Sequence, residues 1–229
     1  MNDYLACYPR SGSTYLRFLL DINTPYSIGT THNNGFDKAL TTFKNKPQTT
    51  IICLKTHYPS SFKKSGIYGL NPTNNNESKI VVLVRNPYDT LMSFKGLKGE
   101  QSATDDEVKK FCDDWVKFIK FYKENKDNEV LFVTYEEMTT NPSLACHKIV
   151  EFLKYSVSWE LGEFQDVTRD MSLERTNKIA SHPDQAQNHI GTCSPMFSKK
   201  QLYSEKQLVI IQERCSLYLN TFFDPLFIK

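Results

Sequence analysis

Leu5-Ala6-Cys7-Tyr8-Pro9-Arg10-Ser11-Gly12-Ser13-Thr14-Tyr15-Leu16-Arg17 is the stretch on which the fold turns. A short apolar run breaks at Pro9, passes a basic residue, one Gly and three hydroxyl residues, and enters an apolar, helix-like segment. That order predicts a strand, a tight turn and a helix N-terminus. The first turn of a helix has N–H groups without intrahelical partners and the positive end of the macrodipole, so it attracts anions. Arg10 adds a full charge, and Ser11, Ser13 and Thr14 add hydroxyl donors. The turn is a candidate phosphate cradle. A nucleoside-triphosphate P-loop would need G-x-x-x-x-G-K-S/T, its Lys on the terminal phosphates and its hydroxyl on magnesium. No Gly-Lys-Ser/Thr follows here. Taken alone, the run reads equally as an ordinary strand-to-helix turn.

Outward from this turn, buried strands are predicted at Tyr4–Cys7, Thr50–Leu54, Ile80–Val84 and Val130–Val133, short runs of the kind found in parallel sheets covered on both faces. Helices alternate with them. Thr14–Asp21 follows the first strand, and Thr104-Asp105-Asp106-Glu107 reads as a capping box ahead of Val108–Lys123. Asn141-Pro142 supplies the N-cap and first position of another helix, and Ser204–Gln207 caps a last helix running to about Leu219. The prediction is one α/β domain over residues 1–229, a central parallel sheet flanked by helices with a P-loop-like phosphate-binding turn. Pro59–Ser78 and His182–Gln201 lack periodicity and read as long polar loops.

A chain of 229 residues can bury a substantial core, and a formal net charge of +2 argues against a nucleic-acid or membrane surface. Basic residues at a ligand site would have to be placed locally. The six cysteines show no metal-ligand spacing, and Cys7 and Cys53 fall inside apolar runs, so buried reduced thiols are expected. Met1-Asn2-Asp3 leads straight into the first strand and no run approaches the ~20 apolar residues of a membrane span, which predicts a soluble, cytoplasmic chain. A chain trimmed of an N-terminal anchor would look the same.

Besides the cradle, chemistry-bearing residues follow two further strands. Lys55-Thr56-His57 comes after the second predicted strand; a lone His is more often structural than catalytic. Arg85 leaves the third, Pro87 starts a helix, and Ser93 lies about two turns along it. Arg85 and Ser93 are suited to clamp a second phosphate, with a surface ion pair as the competing reading for Arg85. The ordered set strongly resembles the sulfotransferase family, whose enzymes use 3′-phosphoadenosine 5′-phosphosulfate (PAPS). The resemblance continues through Val133-Thr134-Tyr135-Glu136-Glu137-Met138 to Asn141-Pro142, covering roughly Tyr4 to Leu153.

That resemblance implies a set of roles. Arg10 stands where members carry Lys or Arg, on the 5′-phosphosulfate, and Ser11, Gly12, Ser13 and Thr14 wrap the 5′-phosphate. Tyr15 replaces a Trp that packs on adenine, and Tyr135 matches a base-contacting Tyr. Arg85 and Ser93 hold the 3′-phosphate. His57 matches the general base and Lys55 the basic residue before it. Lys199 and Lys200 stand nearest to the Arg-Lys-Gly run that closes the 3′-phosphate site in cytosolic members, and Met171-Ser172-Leu173 to an adenine contact. The resemblance implies in-line transfer to a hydroxyl or amine of a small-molecule, carbohydrate or peptide acceptor. It implies no metal, and adenosine 3′,5′-bisphosphate (PAP) as product. The cytosolic members' dimerisation motif is not evident, so no oligomeric state is predicted. The alternatives are a nucleotide kinase or other NTPase, disfavoured by the missing Gly-Lys-Ser/Thr, and a nucleotide binder without turnover, disfavoured by intact Arg10, His57, Arg85 and Ser93.

Overall fold

In the computed structural model, which describes residues 3–30, 50–59, 71–96, 99–156 and 199–223, β1 (Tyr4–Cys7) is the middle strand of a five-stranded sheet. On one side lie β3 (Thr50–Thr56) and then β2 (Tyr26–Thr30); on the other lie β4 (Ile80–Val84) and then β5 (Val130–Thr134). Every pairing is parallel. Ala6 pairs with Thr56 and Cys7 with Leu83, so β1, β3 and β4 end nearly level. In such sheets ligands sit beyond the carboxyl ends of the strands.

The period-2 alternation of β1 sorts the helices into two layers. Leu5 and Cys7 pack with Leu16, Leu19 and Leu20 of α1 (Ser13–Asn23) and Ile149 and Val150 of α5 (Pro142–Phe152). Ala6 and Tyr8 face the other way, onto Phe111, Trp115 and Phe118 of α3 (Asp105–Lys123) and Ile211, Cys215 and Leu219 of α6 (Glu205–Phe222). β4 divides likewise, Val81 and Leu83 against Ile80, Val82 and Val84. Both faces are covered, which is why these strands read as continuous apolar runs. The remaining helices are α2 (Pro87–Gly96) and α4 (Tyr135–Thr140).

Local sequence sets the helix starts. Thr104 with Glu107, Thr134 with Glu137 and Ser204 with Gln207 form reciprocal capping boxes, and Asn141 accepts from the Leu144 N–H behind Pro142. The structure adds two elements. β2 escapes an apolar count because Ser27 and Gly29 interrupt it; a Cβ at Gly29 would come 2.8 Å from Leu54 Cδ2, so the Leu54 side chain packs close over it. α4 follows directly on β5. β3 runs on to Thr56, so Lys55 lies within the strand rather than after it, and α6 continues to Phe222. Of the first predicted loop, Pro72–Asn74 forms a 3₁₀ turn with Pro72 buried. Residues 60–70 and 182–198, and Met171-Ser172-Leu173, lie outside the described residues. Cys7 and Cys53 are buried, and neither forms a disulfide among the described residues. No helix among the described residues is long and apolar enough to cross a membrane.

Candidate active site

Four neighbouring strands, β3, β1, β4 and β5, deliver the candidate residues at one sheet edge. After β1 the chain turns sharply: Ser11 N–H donates to the Tyr8 carbonyl at 3.1 Å, with Arg10 at φ 71° and Gly12 at φ 90°. Placing Arg10 in the left-handed region costs on the order of 1–2 kcal/mol. Gly12 is required by space as well as by φ, since a Cβ there would lie 2.4 Å from Tyr135 Cδ2. Gly12 is also the N-cap of α1 and brings no side chain to accept from the first turn. Beside it the Ser11 hydroxyl is buried with no hydrogen-bond partner among the described residues. A buried unpaired hydroxyl costs about 1–3 kcal/mol, a penalty that an anion seated in the turn would remove.

The junction after β4 is built from side chains. Arg85 is 6% exposed; its guanidinium carbon lies 4.1 Å from the Tyr135 ring centroid and its Nη2 3.8 Å from Asp89 Oδ2. Its Nε is buried with no hydrogen-bond partner among the described residues, a second donor suited to an anion. Trp115 Nε1 donates to the Arg85 carbonyl at 3.1 Å and fixes the backbone. Asn86, fully buried, donates from its N–H and its Nδ2 to Glu136 Oε1 at 3.1 and 2.7 Å, while its Oδ1 accepts from Asp89 N–H at 2.9 Å and caps α2. Burial pushes the Glu136 carboxyl above its usual range, against the pull of the Asn86 bonds and of Arg85. Ser93, on the same helix, accepts from Arg10 Nε at 3.1 Å, which joins cradle and clamp.

After β3 comes His57, 6% exposed. Its Nδ1 lies 2.6 Å from the carbonyl oxygen of Cys7, the last residue of β1. A carbonyl only accepts, so Nδ1 carries the proton and the neutral ring keeps its basic lone pair on Nε2. Cys7 Sγ sits 3.4 Å from the same nitrogen. The next residue is held too, Tyr122 donating its hydroxyl to the Tyr58 carbonyl. Lys55 is buried two residues upstream.

The structure also separates the two C-terminal lysines. Lys199 N–H donates to Asp89 Oδ1 at 3.0 Å, and its ammonium pKa is lowered by burial, then by Arg85 and Arg10, against an opposing pull from Asp89. It therefore feels both guanidiniums. Lys200 Nζ instead lies 5.6 Å from the Tyr88 ring centroid. Tyr15 is buried in the core, edge-on to Tyr135 at 6.4 Å, and Tyr135 is wedged between Gly12 and Arg85. Arg10, Ser11, Arg85, Ser93 and Lys199 thus converge, with His57 on the adjoining strand end. Asn86, Asp89 and Glu136 support them without having been singled out from sequence. The Asn-Pro pair before α2, the same signal used at Asn141-Pro142, pointed to Asn86. Among the described residues no group of three or more His, Cys, Asp or Glu side chains could hold a metal.

Comparison with known proteins agrees with this geometry. Residues 4–208 match the sulfotransferase domain family. Cytosolic sulfotransferase 13 of Arabidopsis thaliana is 29% identical over 206 residues, 76% of this chain and 61% of the relative. The amine sulfotransferase of Oryctolagus cuniculus is 27% identical over 82% of this chain and 67% of its own length. The chain spans about three fifths of the length of the first two curated relatives it matches, 61% and 60%. Among solved structures, mouse sulfotransferase SULT7A1 complexed with PAP superposes with a TM-score of 0.64 at 19% identity, covering 95% of this chain and 83% of that one. Retinol dehydratase in complex with androsterone and inactive cofactor PAP gives 0.56 at 16%, covering 96% and 81%.

Proposed function

As the chain belongs to the sulfotransferase family, we propose that it moves a sulfuryl group from PAPS to a hydroxyl or amine of a small-molecule acceptor, in the cytosol, by in-line displacement. One observation carries this reading: Arg10, Arg85, Ser93 and Lys199, far apart in sequence, meet at one sheet edge beside two buried donors, Ser11 Oγ and Arg85 Nε, without hydrogen-bond partners among the described residues. That is a site for two anionic groups, and PAP in the solved relatives carries two phosphates.

Ser11, Gly12, Ser13 and Thr14 would hold the 5′-phosphate through hydroxyls and the α1 N-terminus; Arg85, Ser93 and Lys199 would hold the 3′-phosphate. Lys200 faces Tyr88 and is left an outer role. Tyr15 and Tyr135 provide aromatic surface toward the base. When bound, the donor supplies the activated sulfuryl group and a phosphate leaving group. His57 takes the acceptor's proton on Nε2, since its Nδ1 proton is committed to Cys7. Arg10 and Lys55 neutralise the charge that builds during transfer. The rabbit relative's name supports including amines among the acceptors.

The test is thermal stabilisation by PAP against ATP, since a ligand that binds only the folded chain raises stability by mass action. PAP should win; preference for ATP, or indifference to both, would sink the reading. His57→Ala should lower kcat roughly 10²–10⁴-fold while leaving PAP binding within a few-fold. Equal loss of both would make His57 structural. Turnover should survive a chelator, and loss restored by magnesium would count against metal-free transfer.

A further inference from the structure

Asp89 is 1% exposed and sits against an anion site, where a carboxylate repels the ligand unless it organises the cations around it. Its two oxygens face two different parts of the chain. Oδ2 lies 3.8 Å from Arg85 Nη2, four residues back in the junction before α2, and accepts from Asn86 Nδ2 at 2.9 Å. Oδ1 accepts the backbone N–H of Lys199 at 3.0 Å, across 110 residues of sequence. The same stretch is docked on α2 again just downstream, where Tyr203 donates its hydroxyl to the Tyr88 carbonyl at 2.8 Å. Bringing the Lys199 ammonium toward two guanidiniums is unfavourable by itself, and both Arg85 and Arg10 lower its pKa after burial does. Asp89 is the group that opposes that repulsion from both sides.

We propose that Asp89 is the positioning residue of the 3′-phosphate site, latching the segment that carries Lys199 onto the Arg85–Ser93 clamp. Recognition of the 3′-phosphate then depends on a carboxylate that never touches it. This rests on the donor assignment above. It differs from a purely structural role, because the loss should be confined to ligands that carry the 3′-phosphate.

The experiment is calorimetric binding of PAP and of adenosine 5′-monophosphate to the wild type, Asp89→Asn, Lys199→Ala and Lys199→Pro. The wild type should prefer PAP. Asp89→Asn should weaken PAP roughly 10- to 100-fold, the range for a hydrogen bond to a charged group, and the monophosphate by under about 3-fold. Lys199→Pro removes the N–H that Asp89 accepts as well as the ammonium, so it should lose more PAP affinity than Lys199→Ala. If Asp89→Asn does not fold, the two Lys199 variants decide alone. Equal weakening of both nucleotides by Asp89→Asn, unchanged PAP affinity, or equal effects of Lys199→Pro and Lys199→Ala would overturn the proposal. A wild type without preference for PAP would overturn the donor assignment together with it, whereas a preference that persists undiminished in every variant overturns only the role of Asp89.

Discussion

α3, α4 and α6 each begin with a reciprocal capping box, whereas α1 begins at Gly12, which has no side chain to offer. The three capped helices meet the needs of their own first turns; α3 and α6 serve packing, while α4 also brings Tyr135 and Glu136 to the Arg85 junction. α1 leaves its first turn to something else, and it is the helix that faces Arg10, Ser11 and the Arg85–Ser93 clamp. α2 stands between the two kinds: Asn86 caps it, but the cap is one bond of a buried network that also holds Arg85. An uncapped helix start next to a buried hydroxyl that has no partner among the described residues leaves donors an anion would satisfy.

The sharpest way to break the contrast is to give α1 a cap. Gly12→Asp would force a Cβ to 2.4 Å from the Tyr135 ring at φ 90°, costing about 3–5 kcal/mol in chemical denaturation, and would put a carboxylate in the cradle. Any folded fraction should show no thermal response to PAP. Asn86→Ala comes next. It removes the α2 cap and the Nδ2 donor to Glu136 Oε1, leaving only the backbone N–H of residue 86 on that oxygen, so unfolding should cost about 2–4 kcal/mol less, read as a lower urea midpoint. Thr104→Ala uncaps a helix away from the site and should cost only about 1 kcal/mol, a Tm drop of roughly 2–4 °C, with PAP affinity unchanged. A fall in PAP affinity there would erase the distinction between packing helices and the binding helix.

The smallest change expected is one of slope. Burial makes Glu136 hold its proton more tightly in the folded chain than in the unfolded one, so wild-type stability should fall as pH rises above the ordinary value of 4.5 toward the raised folded value. Glu136→Gln cannot ionise and should lack that decline. Its Tm relative to wild type should therefore rise from pH 4.5 upward and stay level below it. A constant difference across that window would show that Glu136 does not titrate with folding.

β1 and β4 were legible to the residue because strands buried on both faces need uninterrupted apolar runs, and Thr104-x-x-Glu107 announced α3 as plainly. β2 was not, since an edge strand with Ser27 and Gly29 carries little apolar signal. α4 was overlooked although Thr134-x-x-Glu137 has the same capping pattern, because it spans only Tyr135–Thr140 and no helical period develops. Arg10, His57, Arg85 and Ser93 could be singled out because strand ends and helix starts fix where they fall. The choice between Lys199 and Lys200 depends on which backbone N–H meets Asp89, and nothing local in sequence encodes that. Asp89 and Glu136 were hidden for a related reason: an acid in a surface-like helix turn looks solvated until the partner elements bury it.

The central place of β1 also bears on how the molecule is made. Tyr4 pairs with Leu54 on one side and Ile80 on the other, so β1 must wait for two partners that come roughly 50 and 76 residues later in the chain. Non-local parallel pairing of this kind folds slowly, because loop closure must precede the contacts that reward it. Arg10, His57 and Arg85 follow those same three strands, so they come together only as the strands pair. Acquisition of PAP affinity during refolding should coincide with completion of the sheet, which makes the ligand a reporter of the last cooperative step rather than of any local turn.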